Sequence, residues 1–273
     1  MKDLYDGGVS GVRVILASTS PRRRQLLAEA GVAFDVLDPR VEDGELLRAR
    51  GTSVAQWVCA LSYLKALGGA RELARSEPGG GAAVVIGADT LVELDGRVVT
   101  KPTGPEDARL MLRSMLGRWH EVLTGVSLVE VPAAGAQGER GPGRRGPDGQ
   151  GRDGQGRGGV VGRRELFTDR ARVWVGDVSE AQVQQHISSG AWAGKAGGYN
   201  FAEQVALGWP LRVEGDATGV MGLPLGRLLP RLRRFVALCA DVAGAERASD
   251  AGPATGAERA FDAERAIRGG ERA

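Results

Sequence analysis

Apolar and polar positions along this chain follow two periods, and the periods alternate. A short apolar run over 12–17 reads as a buried strand, and "SPRRRQLLAEAG" after it reads as a helix over 21–30. Ser20 suits the N-cap, Pro21 the first helical position and Gly31 the stop. A helical period over about 53–75 places Val54, Trp57, Val58, Leu61 and Leu64 on one face. "AAVVIGADTLVELDGRVV" at 82–99 reads as a strand that turns at Asp95-Gly96 into a short partner. Residues 104–117 form a helical pattern with acids in the first turn and Gly117 at the end. "WHEVLTGVSLVEV" and "ELFTDRARVWVG" read as strands, and 179–190 as a helix capped by Ser179. A last helix starts near Pro224, with Pro230 placed to kink it. Strands alternating with helices, plus one hairpin, predict an α/β fold with a mixed sheet.

Two stretches break the pattern. Residues 133–164 are Gly/Arg-rich with almost no large apolar side chains, and the tail, 241–273, becomes Ala/Glu/Arg-rich from about 243. Neither buries enough apolar area to offset the entropy of ordering, so an inserted disordered loop and a disordered tail are expected around one domain, 12–240. The net charge of +2 gives no global polyanion-binding signature. Two cysteines, Cys59 and Cys239, imply neither a disulfide framework nor a zinc site. No apolar run approaches membrane-spanning length and the amino end shows no signal region, so a cytoplasmic protein is expected.

Chemistry concentrates in a few places. Arg22, Arg23 and Arg24 crowd the first turn of the first helix, where the dipole disfavours cations. With Ser18, Thr19, Ser20 and the free N–H groups there, they make a cradle for an anion, and Arg24 is expected to face solvent. The plain alternative is a solvated basic face. Asp89 follows a buried strand and suits a cation or a proton, or simply caps the strand end. Lys101, twelve residues on and past the hairpin, is expected to return near Asp89, and Lys65 sits at the border of an apolar helix face. Lys195 lies in "GKAGGYNFAEQ", where small residues let a ligand approach backbone, and Glu203 and Gln204 follow it as base-selecting or metal-binding groups. His120 and His186 lack metal spacing and read as ordinary polar residues. The Gly154-x-Gly156-x-x-Gly159 match lies in low-complexity sequence with no preceding strand and carries no weight.

"LASTSPRRRQLL", "GADT", "KP", "WHEVLTGV", "GKAGGY" and "GLPL" occur in the order found in the Maf family, and over about 12–130 and 165–236 the chain resembles a member. The resemblance implies a fold like the inosine-triphosphate pyrophosphatases, a mixed twisted sheet flanked by helices with a nucleotide cleft. It implies hydrolysis of nucleoside triphosphates, canonical or modified, to a monophosphate and pyrophosphate with Mg2+ or Mn2+. Carried over by motif, Ser18, Arg22, Arg23, Lys65 and Lys101 bind phosphate and Asp89 is the catalytic acid. Asp89 and Asp43 are the metal candidates, with Glu42 or Glu45 as alternatives to Asp43. Thr90 and Ala202 fall at specificity positions, with Glu203 and Gln204 beside the latter; Ala202 stands where the family has Gln or Glu. A homodimer is implied, and neither a membrane nor a nucleic-acid partner is. The competing readings are a nucleotide-binding regulator of cell division without turnover, which need not retain Asp89, and an RNA-binding module acting through the Gly/Arg stretch.

Overall fold

The computed structural model describes residues 11–41, 46, 48–133 and 161–250, with side chains through 241. The chain begins with β1 (Arg13–Ala17), α1 (Pro21–Glu29), β2 (Asp35–Leu37) and the long α2 (Val54–Ser76). The hairpin β3 (Ala83–Leu94) and β4 (Arg97–Val99) follows, then α3 (Pro105–Met115) and the strands β5 (Arg118–Val131) and β6 (Arg164–Val175). After α4 (Glu180–Ser188) come a short turn, Ala196–Gly198, and α5 (Phe201–Ala206). Then come β7 (Leu211–Glu214), α6 (Ala217–Val220) and α7 (Leu225–Asp250). One seven-stranded sheet runs in the order β2-β1-β3-β5-β6-β7, with β4 on β3. β2, β1 and β3 are parallel, and the remaining pairs are antiparallel.

The pleat distributes the core. Val14, Leu16, Val84, Ile86 and Leu128 face α1 and α7, against Leu27, Leu228, Leu232 and Phe235. Ile15, Ala17, Val85 and Val129 face α2, against Ala66, Ala70 and Leu73. A third cluster joins Val92, Val122 and Val173 to Leu112 and Met115 of α3, Val183 and Ile187 of α4, and Tyr199 and Trp209.

Helix α2 lies unusually close to the sheet. A Cβ on Gly87 would stand 2.3 Å from the Ser62 carbonyl oxygen, and one on Gly125 would stand 2.4 Å from that of Val58. The small residues Ala66, Gly69 and Ala70 complete this face, so the buried side of α2 is Val54, Val58, Leu61, Ser62, Ala66, Gly69, Ala70 and Leu73. Trp57 is only half-buried and Leu64 is 36% exposed, contrary to the face read from apolar spacing. Close packing selected small residues over large ones.

Other differences are local. β2 and β7 were not expected: β2 is three residues long and mostly exposed, and β7 alternates over only four. Ser20 stands at the N-cap, but its hydroxyl makes no capping bond; its N–H instead donates to Ser18 Oγ at 3.2 Å. The helix α7 contains Pro230 and runs to Asp250, into the stretch read as tail, where Ala, Glu and Arg favour helix. The chain rejoins the sheet before the end of the Gly/Arg stretch: Gly162 N–H donates to Glu130 O and Glu130 N–H to Arg163 O, each at 2.9 Å. Among the described residues no helix is long and apolar enough to cross a membrane.

Candidate active site

β1 stops at Ala17, opposite Gly87 of β3. β3 continues past that point, paired with β5 through Asp89↔Gly125 and Thr90↔Thr124. The carboxyl end of β1 therefore opens beside the middle of β3, with the start of α1 above it. In open α/β sheets this is where ligands bind. Asp89 thus lies within a strand and not at a strand end.

Alternation along β3 puts Asp89 on the α2 side, with Val85 and Gly87, and Thr90 on the α1 side. Lys65 of α2 donates to Asp89 Oδ1 at 2.6 Å, with the two side chains 15% and 12% exposed. The close seat of α2 on Gly87 and Gly125 makes this reach possible. Lys65 is therefore a largely buried cation paired with Asp89 rather than a snorkelling surface residue.

On the other side, Arg23 donates from Nε to Gly222 O at 2.8 Å and from an Nη to Thr90 Oγ1 at 3.2 Å. Thr90 bonds Thr124 at 2.9 Å, and Thr124 donates to Gly219 O at 2.8 Å. Arg22 is half-buried and Arg24 exposed, as the spacing required. Burial pulls the Arg22 guanidinium below its ordinary pKa, and Glu203, 3.8 Å away, opposes that. Ser18 is buried, at the mouth of the same opening.

The "GKAGGYNFAEQ" segment closes the far wall. Glu203 accepts from Lys195 and from Asn200 Nδ2, each at 2.5 Å. Burial would raise its pKa, but the bonds from Lys195 and Asn200 outweigh burial and hold it below the usual carboxylate range. Asn200 caps α5 through Glu203 N–H. Ala202 and Glu203 are exposed. Gln204 is not: it is 1% exposed and its Nε2 lies 3.3 Å from His186 Nδ1. Gln204 points inward because α5 turns successive side chains by about 100°. His186 Nε2 meets Gly198 O at 2.7 Å and His120 Nε2 meets Tyr199 Oη at 2.9 Å, so both histidines brace this segment from beneath.

Lys101, expected to return near Asp89, shows no hydrogen bond to it among the described residues. It is exposed and makes no ion pair among the described residues, while its neighbour Thr100 O accepts from Gly197 N–H at 3.2 Å. The hairpin thus brings the chain to the glycine segment. Asp43, Glu42 and Glu45 lie outside the described residues. Sequence reasoning missed Thr124, Gly222 and Asn200. A lone Thr in an apolar strand and an Asn three residues before Glu203 were the available signals.

A cationic helix start, a Lys-bound carboxylate and a glycine-rich wall around the end of a parallel strand define an α/β protein built to hold a polyanion. Residues 13–235 match the family described as Maf-like protein, and the chain belongs to that family. A dTTP/UTP pyrophosphatase of Vibrio cholerae is 34% identical over 82% of this chain and 98% of its own length. Proteins of the same name from Dictyoglomus thermophilum and Salinibacter ruber are 32% and 34% identical. Each match covers 81% of this chain, and 95% and 89% of those proteins respectively.

Proposed function

We propose that the chain is a nucleoside triphosphate pyrophosphatase. In this reading it cleaves dTTP- and UTP-class substrates between the α- and β-phosphates to a monophosphate and pyrophosphate. The observation that carries this is Asp89, held by Lys65 at 2.6 Å where β1 ends and the arginine-rich start of α1 begins. The names of the relatives support the same substrate class.

In this reading Ser18, Arg22, Arg23 and the N–H groups of α1 take up phosphate charge, and Lys65 and Lys101 add to it as pyrophosphate departs. Lys65 also holds the Asp89 carboxylate in place through the 2.6 Å bond. The Asp89 carboxylate orients the attacking water and takes its proton as the new bond to phosphorus forms. Glu203 holds Lys195 and faces Arg22 on the opposite wall, near the base-selecting position at Ala202.

The donor set suits a divalent cation such as Mg2+ through Asp89, since magnesium binds through one or two carboxylates, substrate phosphates and waters. Among the described residues no cluster of three metal-ligating side chains accompanies it. When bound, the cation would offset charge on the phosphate oxygens. A homodimer is also proposed, on family resemblance, and no nucleic-acid partner is required.

The test is a panel of nucleoside triphosphates with pyrophosphate and phosphate detected separately, on the unchanged chain and on Asp89→Asn. Pyrophosphate with a monophosphate is expected from the former, and a rate lower by about 100-fold or more from the latter. Phosphate with a diphosphate as first products would overturn the assignment. A folded Asp89→Asn protein with near-normal turnover would remove Asp89 from it.

A further inference from the structure

We infer that Thr124 fixes the direction of the Thr90 hydroxyl, so that Thr90 offers the substrate only an acceptor. This selects a base that presents an imide N–H, as uracil and thymine do, over cytosine, whose corresponding ring nitrogen only accepts. The inference rests on the pyrophosphatase reading and names how that site chooses its base.

Hydrogen-bond valence sets the direction. A guanidinium only donates, so Thr90 Oγ1 accepts from Arg23 at 3.2 Å. A carbonyl only accepts, so the single proton of Thr124 goes to Gly219 O at 2.8 Å. The 2.9 Å bond between the two hydroxyls then has one possible sense, with Thr90 donating and Thr124 accepting. Thr90 has given its only proton away. One of its two lone pairs is used by Arg23, and the other meets no partner among the described residues.

The second lone pair is kept accessible. Thr90 is half-buried rather than sealed. Gly222 lies alongside at φ +105°, and a Cβ there would stand 3.2 Å from Arg23 Nε and 3.5 Å from Thr90 Oγ1. The missing side chain leaves the hydroxyl uncovered. Phosphate oxygens in the substrate only accept, so Thr90 cannot hold the triphosphate. Its partner must bring a proton, which a uracil or thymine imide does. A site that leaves a buried polar group unpaired against the wrong ligand discriminates strongly.

Thr124 touches no substrate in this scheme; it is a positioning residue. The experiment compares kcat/KM for UTP, CTP and dUTP on the full chain, Thr124→Val, Thr124→Ser and Thr90→Val. UTP is expected to be preferred over CTP by the unchanged chain. Thr124→Val frees the Thr90 proton to donate to cytosine, and the UTP:CTP ratio should fall at least ten-fold. Thr124→Ser, which keeps the relay, should retain the original ratio. Thr90→Val removes the acceptor itself and should lose the preference whether or not Thr124→Val folds. An unmoved UTP:CTP ratio in folded, active Thr124→Val or Thr90→Val overturns the inference and leaves the pyrophosphatase reading standing. So does a change confined to UTP against dUTP, which would put a sugar hydroxyl at Thr90. Absence of turnover in the unchanged chain overturns that reading and the inference with it.

Discussion

His120 shows how a single residue couples the wall of the site to the solvent. It is 2% exposed, its Nε2 is bound to the Tyr199 hydroxyl, and its Nδ1 has no partner among the described residues. Burial pushes its pKa down to about 4 from 6.5, so the folded protein holds it neutral where an unfolded chain would protonate it. The unfolded state binds the extra proton between those two values, so stability is fully present above about pH 6.5 and falls as pH drops toward 4. One such proton corresponds to about 1.4 kcal/mol per pH unit. Between pH 6 and 5 the urea midpoint should therefore fall, and His120→Phe should flatten that slope. An equal slope in both proteins would place the titrating group elsewhere. At this scale the sequence was readable where chemistry is marked by residue type: Asp89, Lys65 and Arg22 stood out as charges beside apolar runs. Thr124 did not, because one Thr in a strand carries no sign of which hydroxyl faces it. The burial of Gln204 was not legible, because a six-residue helix has too few turns to show its periodicity.

Among the elements, α2 decides whether the site exists. Its span was legible, about 53–75 against Val54–Ser76, and the structure adds a full capping box between Ser53 and Gln56. Its buried face was not, because the contact with the sheet uses glycine and alanine, which apolar spacing undercounts. Gly87→Ala should expose that dependence. The added Cβ would stand 2.3 Å from the Ser62 carbonyl oxygen and 2.4 Å from the Ala66 nitrogen, both backbone atoms that cannot swing aside. Overpacking of this kind costs about 3 kcal/mol, and the helix can relieve it only by moving away. That movement carries Lys65 off Asp89, so melting temperature and kcat should fall together. Gly81→Ala, where nothing lies within 4 Å, is the control and should leave both unchanged. A Gly87→Ala protein with normal melting but low kcat would place the effect at Asp89 itself rather than in the helix seat.

Over the whole molecule, the alternating periods were enough for the α/β class and the mixed sheet. Strand order was not legible, because β2 and β7 are short and because register depends on partners far apart in sequence. Ser18, Arg22, Arg23, Lys65 and Asp89 gather at one end of β1, whereas the Gly/Arg stretch enters and leaves at the end of β5 and the start of β6. Those strands pair as a hairpin through Val129↔Arg164, and Glu130 extends the pairing to Gly162 and Arg163. The two ends of the stretch are thus already held together by the sheet. Replacing residues 134–160 with a short Gly-containing turn should cost little, since closure entropy changes by only about 0.6 kcal/mol per halving of loop length, and in the stabilising direction. Ser18, Arg22, Arg23, Lys65, Asp89 and Lys101 all precede the stretch, and α5 with Glu203 follows it. The trimmed protein should keep its kcat/KM and melt at the same temperature or slightly higher. A folded, trimmed protein that has lost most nucleotide hydrolysis would instead assign the arginines of that stretch a part in holding the triphosphate.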